Sequence, residues 1–545
     1  MKKTSVLLLG CNERAAFSIA KSFTRNNYSV DVLNDCFHPL QYSKFVKSFH
    51  VIHASFEKNT DAAINEILAF LQNNQYDYLI PVHDTALLIC AIQNEQLSRL
   101  TKIAYVNPPE THKFSRDKGE LLLLCKNLGL PTPASILIEK IEDIDKLDNL
   151  VFPCIAKPVS SKVYRNEKIF SYTVKKIKTR EALIDFIRET IDTVPVLIQE
   201  LLPKGFGVGY NFLSLNGKVL DAYCHQRINE AWGGGQSTFR KTIDLTSFDI
   251  ENISKKIISQ INWSGIAMIE FLVVNNTPYI MEINGRAWGS IELGNFSGAD
   301  LPLHMINAIF EGKTVAPRKS NSTFYSRNLL NEILWITKSK SFSTFIKWLF
   351  SLKESFKKNH TIEDSVFQDP LFRLAYLLKL ISEVFNKFLF KIKKSVTPVR
   401  IASISQESIS KDKKIALICK GNINRSAFAE FYWKQKYPGY SISSFGAIFK
   451  ENRLSPVNAV ASATAFGVDL NQHRSKFLTD TAIKENDVFI IMDKENYWDL
   501  RKMNVPKNKI FKLNSLDIAD PYGNDNDYFN KTFKIIADSI DAVVK

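Results

Sequence analysis

Apolar runs and amphipathic stretches alternate through the first hundred residues. Positions 6–9 and 78–82 are apolar runs of strand length and 29–33 also reads as a strand, whereas 13–26 and 61–71 carry apolar residues at helical spacing. Strands separated by helices predict an α/β unit with a parallel sheet. A second unit starts near Thr111, where Asp117-Lys118 opens a helix that stops at Gly129, ahead of Pro131 and Pro133. Positions 152–158 and 196–203 read as buried strands, the first ending in Lys157-Pro158 and the second passing through Glu200 to Leu202. Glycines at 205, 207 and 209 follow, then the glycine-rich loop 233–237 and two further apolar strands, 265–271 and 279–286. Between 370 and 394 the apolar positions 371, 374, 375, 378, 381, 385, 388, 389 and 392 form one continuous helix face, and 342–352 is a shorter apolar piece around Trp348. The polar stretch 403–414 predicts a flexible tether. An apolar run at 415–418 and a helical pattern over 427–436 complete the outline. The divisions are 1–110, 111–320, 321–412 and 413–545.

Composition sets limits on that outline. A chain of 545 residues holds several domains, and 45% hydrophobic with 12% aromatic content suffices for full cores. Seven cysteines without metal-type spacing indicate neither a disulfide framework nor a zinc site. The opening apolar stretch is only about five residues long before Gly10 and reads as a first strand rather than a leader. No run reaches the roughly 18 apolar residues of a spanning helix. Gly10 opens no G-x-G-x-x-G, so a dinucleotide site is not supported.

The net charge is +15, and positions 318–400 alone hold 16 Lys and Arg against six Asp and Glu. A local basic patch is expected rather than a nucleic-acid footprint, and no nucleic-acid recognition motif accompanies it. The basic amphipathic stretch 342–394 either packs on the domain before it, as most amphipathic helices do, or lies in an anionic membrane surface.

The densest chemistry lies at Cys419-Lys-Gly-Asn-Ile-Asn-Arg425, followed by Ser426, between a strand and a helix. A loop at a helix N-terminus points successive N–H groups at one spot, and the dipole adds positive potential there, which suits a phosphate. Helix N-termini and neighbouring arginines favour the thiolate form of a cysteine. Its thiolate is a nucleophile for a phosphoester. Arg425 offers a rigid fork for two phosphate oxygens, and Ser426 can hydrogen-bond the thiolate. About a hundred residues on, Asp520 in Asp520-Pro521-Tyr522 supplies an acid able to protonate a leaving oxygen. The bland reading is a buried cysteine at the end of a strand.

On these residues the stretch 413–545 resembles the low-molecular-weight protein tyrosine phosphatases. The family's C-x-G-N-x-x-R-S loop stands as Cys419, Gly421, Asn422, Arg425 and Ser426, and its Asp-Pro-Tyr as Asp520-Pro521-Tyr522. Phe445-Gly446-Ala447, 467–470, His473-Arg474-Ser475 and 487–493 are further landmarks. The resemblance implies a flavodoxin-like parallel sheet, Cys419 as nucleophile, Arg425 as phosphate ligand and Asp520 as general acid. It also implies a substrate that is a phosphorylated small molecule or a phosphotyrosyl protein. Related arsenate reductases need additional cysteines, and none follows Cys224 except Cys419 itself. A working thiolate prefers a reducing compartment, hence the cytoplasm. The rival is a module that binds phosphate without turnover, which needs neither thiolate nor acid.

A second constellation lies upstream. Two apolar strands each deliver a carboxylate, Glu270 and Glu282, and Asn284 shares a face with Glu282. Oxygen ligands on one face suit Mg²⁺, which keeps waters and binds nucleotide phosphates with few protein ligands. Arg286, two residues further, can meet a phosphate from the same side. A hairpin with charged residues on its solvent face is the plain alternative.

These residues, with Asp117-Lys118, Lys157-Pro158, Gln199-Glu200, Arg227 and loop 233–237, make 1–315 similar to the ATP-grasp superfamily. Within it the likeness is to carboxylate–amine ligases related to carbamoyl-phosphate synthetase. The resemblance implies an N-terminal α/β unit preceding an ATP-grasp fold, with ATP and Mg²⁺ as cofactors (Mn²⁺ shares the ligand preference). Lys118 and Lys157 would hold ATP phosphates, Glu200 and Leu202 would line the adenine and hinge region, and Arg227 belongs with the cofactor-binding set. Glu270, Glu282 and Asn284 would hold the metal, and Arg286 would steady an acyl phosphate. The substrates implied are a small-molecule carboxylate and an amine. One departure stands out: 159–165 has no glycine where many relatives have a phosphate-covering loop, leaving serines or Lys162 as substitutes. A grasp domain that only binds nucleotide is the alternative.

Overall fold

The computed structural model describes residues 3–12, 14–104, 107–230, 237–316, 322–339, 341–396 and 401–544, and, of the side chains within them, not 334, 337–339 or 387–396. The chain forms two compact units, 1–134 with 159–172 and 202–385, and 135–158 with 173–201 and 386–545.

The first unit opens with a parallel sheet in the order Ser48–Val51, Ser29–Asn34, Ser5–Leu9, Tyr78–Pro81, Lys102–Ile103. Its central strand sends Val6 and Leu8 into one core and Leu7 and Leu9 into the other, as the period-2 alternation of a doubly covered strand requires. Gly10 ends that strand at φ +75°, and a Cβ there would run into the His83 ring.

The second sheet of this unit has seven strands, in the order Thr277–Asn284, Gly265–Val274, Phe206–Leu215, Lys218–Glu230, Ser237–Ile243, Tyr325–Arg327, His360–Ile362. Its pairs are antiparallel except the last. The glycine-free stretch after Pro158 forms a small hairpin, Lys162–Arg165 with Lys168–Ser171. Backbone bonds from Ile169 to Glu57 (2.8 Å) and from Thr60 to Glu167 (2.9 Å) fix it to the helix Thr60–Asn73 and the turn before it.

The helix Pro370–Val396 follows the 3.6-residue pattern and packs on the preceding domain, but not through the stripe read from the sequence. Phe372 is fully buried and stacks on Phe17 at 5.0 Å, with Arg373 buried beside it. The apolar stripe read from the sequence, Leu371, Leu374, Leu378, Ile381 and Phe385, faces outward. Among the described residues no helix is long and apolar enough to cross a membrane.

The second unit joins a small lobe to a parallel-sheet domain. The lobe's antiparallel sheet runs Lys175–Ile177, Cys154–Pro158, Val196–Glu200, Ser135–Ile138, backed by the helix Arg180–Arg188. The larger sheet is parallel, in the order Ser441–Gly446, Lys414–Cys419, Val488–Ile491, Ile510–Lys512. Ile415 and Leu417 face one core, Ala416 and Ile418 the other. On the first side the helices Arg425–Lys436 and Asn526–Val544 meet through Phe428 and Phe533, parallel rings 4.1 Å apart.

Residues read as a tether are instead part of this domain. The Ile404 and Lys512 amides donate to Lys512 and Ala402 carbonyls at 2.8 and 2.9 Å, and Ile404 and Ile409 plug the core. Two isoleucines among ten polar residues are too few to signal a buried segment.

The lobe and the parallel-sheet domain share a core. Leu454, 6% exposed, sits among the lobe's Ile138, Cys154, Leu183 and Ile187. Its amide donates to the Arg188 carbonyl (3.1 Å), Arg188 Nε to the Ser455 carbonyl (2.8 Å), and Tyr522 Oη to Glu189 Oε1 (2.7 Å). Arg474 pairs with Asp192 at the same edge.

Candidate active sites

Cys419 ends the strand Lys414–Cys419 and is 3% exposed. Its Sγ accepts from the Asn422 amide (3.2 Å) and from Ser426 Oγ (3.1 Å). The loop is held in shape by Asn422, which adopts φ +54°, a conformation Asn tolerates better than most residues. Asn422 Nδ2 donates to Ser426 Oγ (3.0 Å) and Ser444 Oγ (2.7 Å), its Oδ1 accepts from the Lys476 amide (2.8 Å), and its carbonyl accepts from His473 Nε2 (2.7 Å). Burial lowers the His473 pKa, so the ring serves as a neutral donor. Gly446 lets the neighbouring strand pass: a Cβ there would stand 3.0 Å from the Gly421 backbone.

Arg425 is the first residue of its helix and is buried. Nη1 donates to Asp493 Oδ2 (2.5 Å) and the Ile518 carbonyl (2.7 Å), and Nη2 donates to Asp520 Oδ2 (3.0 Å). Burial opposes its charge, but Cys419, Asp520 and Asp493 outweigh burial and hold its pKa above the ordinary value. The structure thus brings Cys419, Arg425, Ser426 and Asp520 together. Asp493, His473 and Ser444 complete the arrangement. The first two lay in recognised sequence landmarks without a role attached, and Ser444 carried no signal beyond its strand.

Replacing Asn422 by alanine removes three side-chain hydrogen bonds and leaves a β-carbon in left-handed backbone. The expected loss is about 2–4 kcal/mol of stability and, through a displaced loop, about 10–100-fold in kcat/KM for an aryl phosphate. Thermal melts beside steady-state kinetics check this, and no change in either would mean the loop holds its own shape.

The upstream constellation surrounds a cleft of about 340 Å³ in the first unit, lined by Arg14, His83, Asp84, His225, Arg227, Arg240, Glu270, Glu282, Asn284 and Arg286 among others. Glu270 and Glu282 stand directly opposite each other on paired strands. Arg227 Nη2 meets Glu270 Oε2 at 2.7 Å, Lys118 Nζ meets Glu282 Oε2 at 3.4 Å, and Asn284 Nδ2 donates to Glu282 Oε1 at 3.1 Å. Lys118 also donates to Ser161 Oγ (3.2 Å), in a smaller adjoining cavity of about 100 Å³. Arg286 Nε donates to Asp84 Oδ1 at 2.8 Å. Burial opposes the Arg286 charge, yet Asp84, with Glu282 and Glu270 behind it, holds its pKa above the ordinary value.

Burial pushes the Glu270 carboxyl up, with Glu282 adding to this and Arg227 pulling the other way. Two facing carboxylates in that state are what a divalent cation relieves. Asn284 spends its amide nitrogen on Glu282, which leaves its oxygen for a hard cation. No group of three or more His, Cys, Asp and Glu is poised for a metal among the described residues. Mg²⁺ needs none, because it takes one or two carboxylates with phosphates and waters. The donor set therefore fits Mg²⁺.

Lys162, read as a substitute phosphate ligand, is taken by Glu57, and its Nζ also donates to Ser171 Oγ (2.7 Å). Lys157 is buried on the lobe strand Cys154–Pro158, Glu200 lies exposed at the end of the strand Val196–Glu200, and Leu202 is partly buried in the first unit. Loop 233–237 lies outside the described residues except for Ser237. Asp84, Arg14, His83 and His225 escaped the sequence reading, because single residues scattered over two domains carry no spacing.

The C-terminal geometry defines a cysteine-centred phosphate site. The family model "Low molecular weight phosphotyrosine protein phosphatase" matches residues 414–545. The low molecular weight protein-tyrosine-phosphatase Ptp of Acinetobacter johnsonii is 30% identical over 128 residues, covering 23% of this chain and 90% of that protein. Through this domain the chain belongs to the low molecular weight phosphotyrosine protein phosphatase family.

Upstream, the chain is 25% identical over 210 residues to the carbamoyl phosphate synthase large chain of Saccharolobus solfataricus. That match covers 36% of this chain and only 19% of the relative. Biotin carboxylase from Campylobacter jejuni, solved with an ATP analogue, superposes with a TM-score of 0.48 at 14% identity, covering 59% of this chain and 75% of that one. The fold is α/β in both units, with a flavodoxin-like parallel sheet at the C-terminus.

Proposed function

We propose a bifunctional enzyme: an ATP- and Mg²⁺-dependent ligase that joins a carboxylate to an amine through an acyl phosphate, fused to a Cys-dependent phosphomonoesterase. The observation that carries the second half is the Cys419 thiol held by the Asn422 amide and Ser426, with Arg425 and Asp520 at the same loop. Cys419 Sγ attacks phosphorus and the alkoxide or phenoxide leaves, taking a proton from Asp520. Water then cleaves the S–P bond, with Asp520 accepting its proton. Arg425 exchanges Asp520 for phosphate oxygens as the ester binds, which frees the acid to act. A phosphorylated small molecule and a phosphotyrosyl protein both fit this chemistry.

For the ligase, the supporting observation is the Glu270–Glu282 pair with Asn284, Lys118 and Arg286 around one cleft. Mg²⁺ bound by Glu270, Glu282 and Asn284 would neutralise charge on the transferred phosphoryl group. Lys118 and Lys157 hold the ATP phosphates, Glu200 and Leu202 border the adenine, and Arg227 pairs with Glu270. Arg286 steadies the acyl phosphate while the amine displaces phosphate. A second reading, a grasp domain that only senses nucleotide, is favoured by the pinned, glycine-free hairpin 162–171 and by Lys162 being spent on Glu57.

Hydroxylamine trapping separates the two readings. The full chain with Mg-ATP and pooled carboxylates should yield a hydroxamate and equimolar ADP from at least one pool. ADP and hydroxamate absent from every pool, with nucleotide still bound, would leave the sensor.

A further inference from the structure

The outward faces of the helices Phe342–Ser351 and Pro370–Val396 take no part in either site. Phe342 is 77% exposed and Phe350 66%, and Leu371, Leu374, Leu378 and Phe385 are each more than half exposed. The stripe on the second helix is not a misplaced core face, because that helix already packs through Phe372, Arg373 and Tyr376 on Phe17 and its neighbours. Soluble surfaces rarely leave so many large apolar groups in water without a partner. The stretch is also basic. Lys347, Lys353, Lys357 and Lys358 are exposed around the first helix, and 318–400 holds 16 Lys and Arg against six Asp and Glu.

Charge decides the occupant. A second copy of the face around Phe342–Ser351 would set Lys347, Lys353, Lys357 and Lys358 against lysines. An anionic bilayer accepts both parts of the surface, with apolar side chains below the headgroups and lysines among them. With no described helix able to cross a membrane, such a contact is interfacial. We propose that the outward faces of these two helices dock the enzyme on an anionic lipid surface.

Vesicle co-sedimentation of the full chain tests this, using phosphatidylcholine alone or with about a third phosphatidylglycerol. Partition into the anionic vesicles should be at least about 10-fold stronger than into neutral ones and should weaken as salt rises from about 0.1 to 0.5 M. Leu374→Asp with Leu378→Asp should cut it by on the order of 10-fold, and Lys353→Glu, Lys357→Glu and Lys358→Glu together by on the order of 100-fold. Aryl phosphate turnover should stay at the wild-type level in all of them, which reports an intact fold. Absence of partition, equal partition into neutral vesicles, or lipid-free self-association abolished by the leucine changes would each overturn the proposal.

Discussion

Cys419→Ser is expected to stop phosphomonoester hydrolysis, lowering kcat for an aryl phosphate by on the order of 10⁴-fold. Serine is nearly isosteric and keeps an oxygen where Sγ now accepts from the Asn422 amide and Ser426 Oγ. The loop should therefore keep its shape, and Arg425 its place. What disappears is the nucleophile, because among the described residues no neutral base is placed beside residue 419 to activate a hydroxyl. Histidine 473 is buried nearby but spends Nε2 on the Asn422 carbonyl. The variant should still bind inorganic phosphate within about 3-fold of wild type by calorimetry. That pairing, binding kept and turnover lost, distinguishes a nucleophile from a structural cysteine. Turnover unchanged in Cys419→Ser would end the covalent mechanism, and binding and turnover lost together would point to a collapsed loop.

Glu282→Ala should have the second largest effect, a fall of about 10²–10³-fold in ATP-dependent ligation. Glu282 faces Glu270 across the paired strands and touches both Lys118 and Asn284. Its removal takes away one oxygen ligand, frees the asparagine amide to rotate and leaves Lys118 with Ser161. It also removes a like charge from beside Glu270, so the Glu270 carboxyl should drop towards its ordinary value, while burial still raises it. In Mg²⁺ titrations of ADP release the half-saturation point should move upward. Phosphatase turnover should be untouched, which guards against misfolding. An unaltered Mg²⁺ requirement would remove Glu282 from the metal set.

Legibility followed sequence distance. The phosphate loop occupies eight consecutive residues between a strand and a helix, so its geometry is local and its residue types declare it. The Glu270–Glu282 hairpin was readable because its strands are neighbours in sequence, but the turn at Asn275 and Asn276 sets the register only as far as Phe271 and Ile280, and a bulge beyond them brings Glu282 opposite Glu270. Asp84 was not, because its pairing with Arg286 spans about two hundred residues. Asp493 was seen as the end of an apolar run and not as a partner of Arg425, because the turn after a strand does not announce what it approaches. The helix Pro370–Val396 marks a different limit. Periodicity reveals that a stripe exists but not whether a neighbour covers it, and here the covering residue is Phe372, outside the stripe.

Leu454 carries a consequence for how the chain is made. The lobe's strands and helix are complete by residue 200, yet their core stays open until a leucine about 250 residues later arrives to fill it. During synthesis the lobe therefore waits, its apolar interior only partly closed, while the remainder of the first unit and the first third or so of the phosphatase are translated. Long-range closure of this kind is slow and leaves a sticky intermediate. Once formed, it makes two segments remote in sequence melt together. The fusion is thus written into the folding order of the polypeptide, and cutting the gene between the two catalytic halves would leave a hole in one and an orphaned leucine on the other.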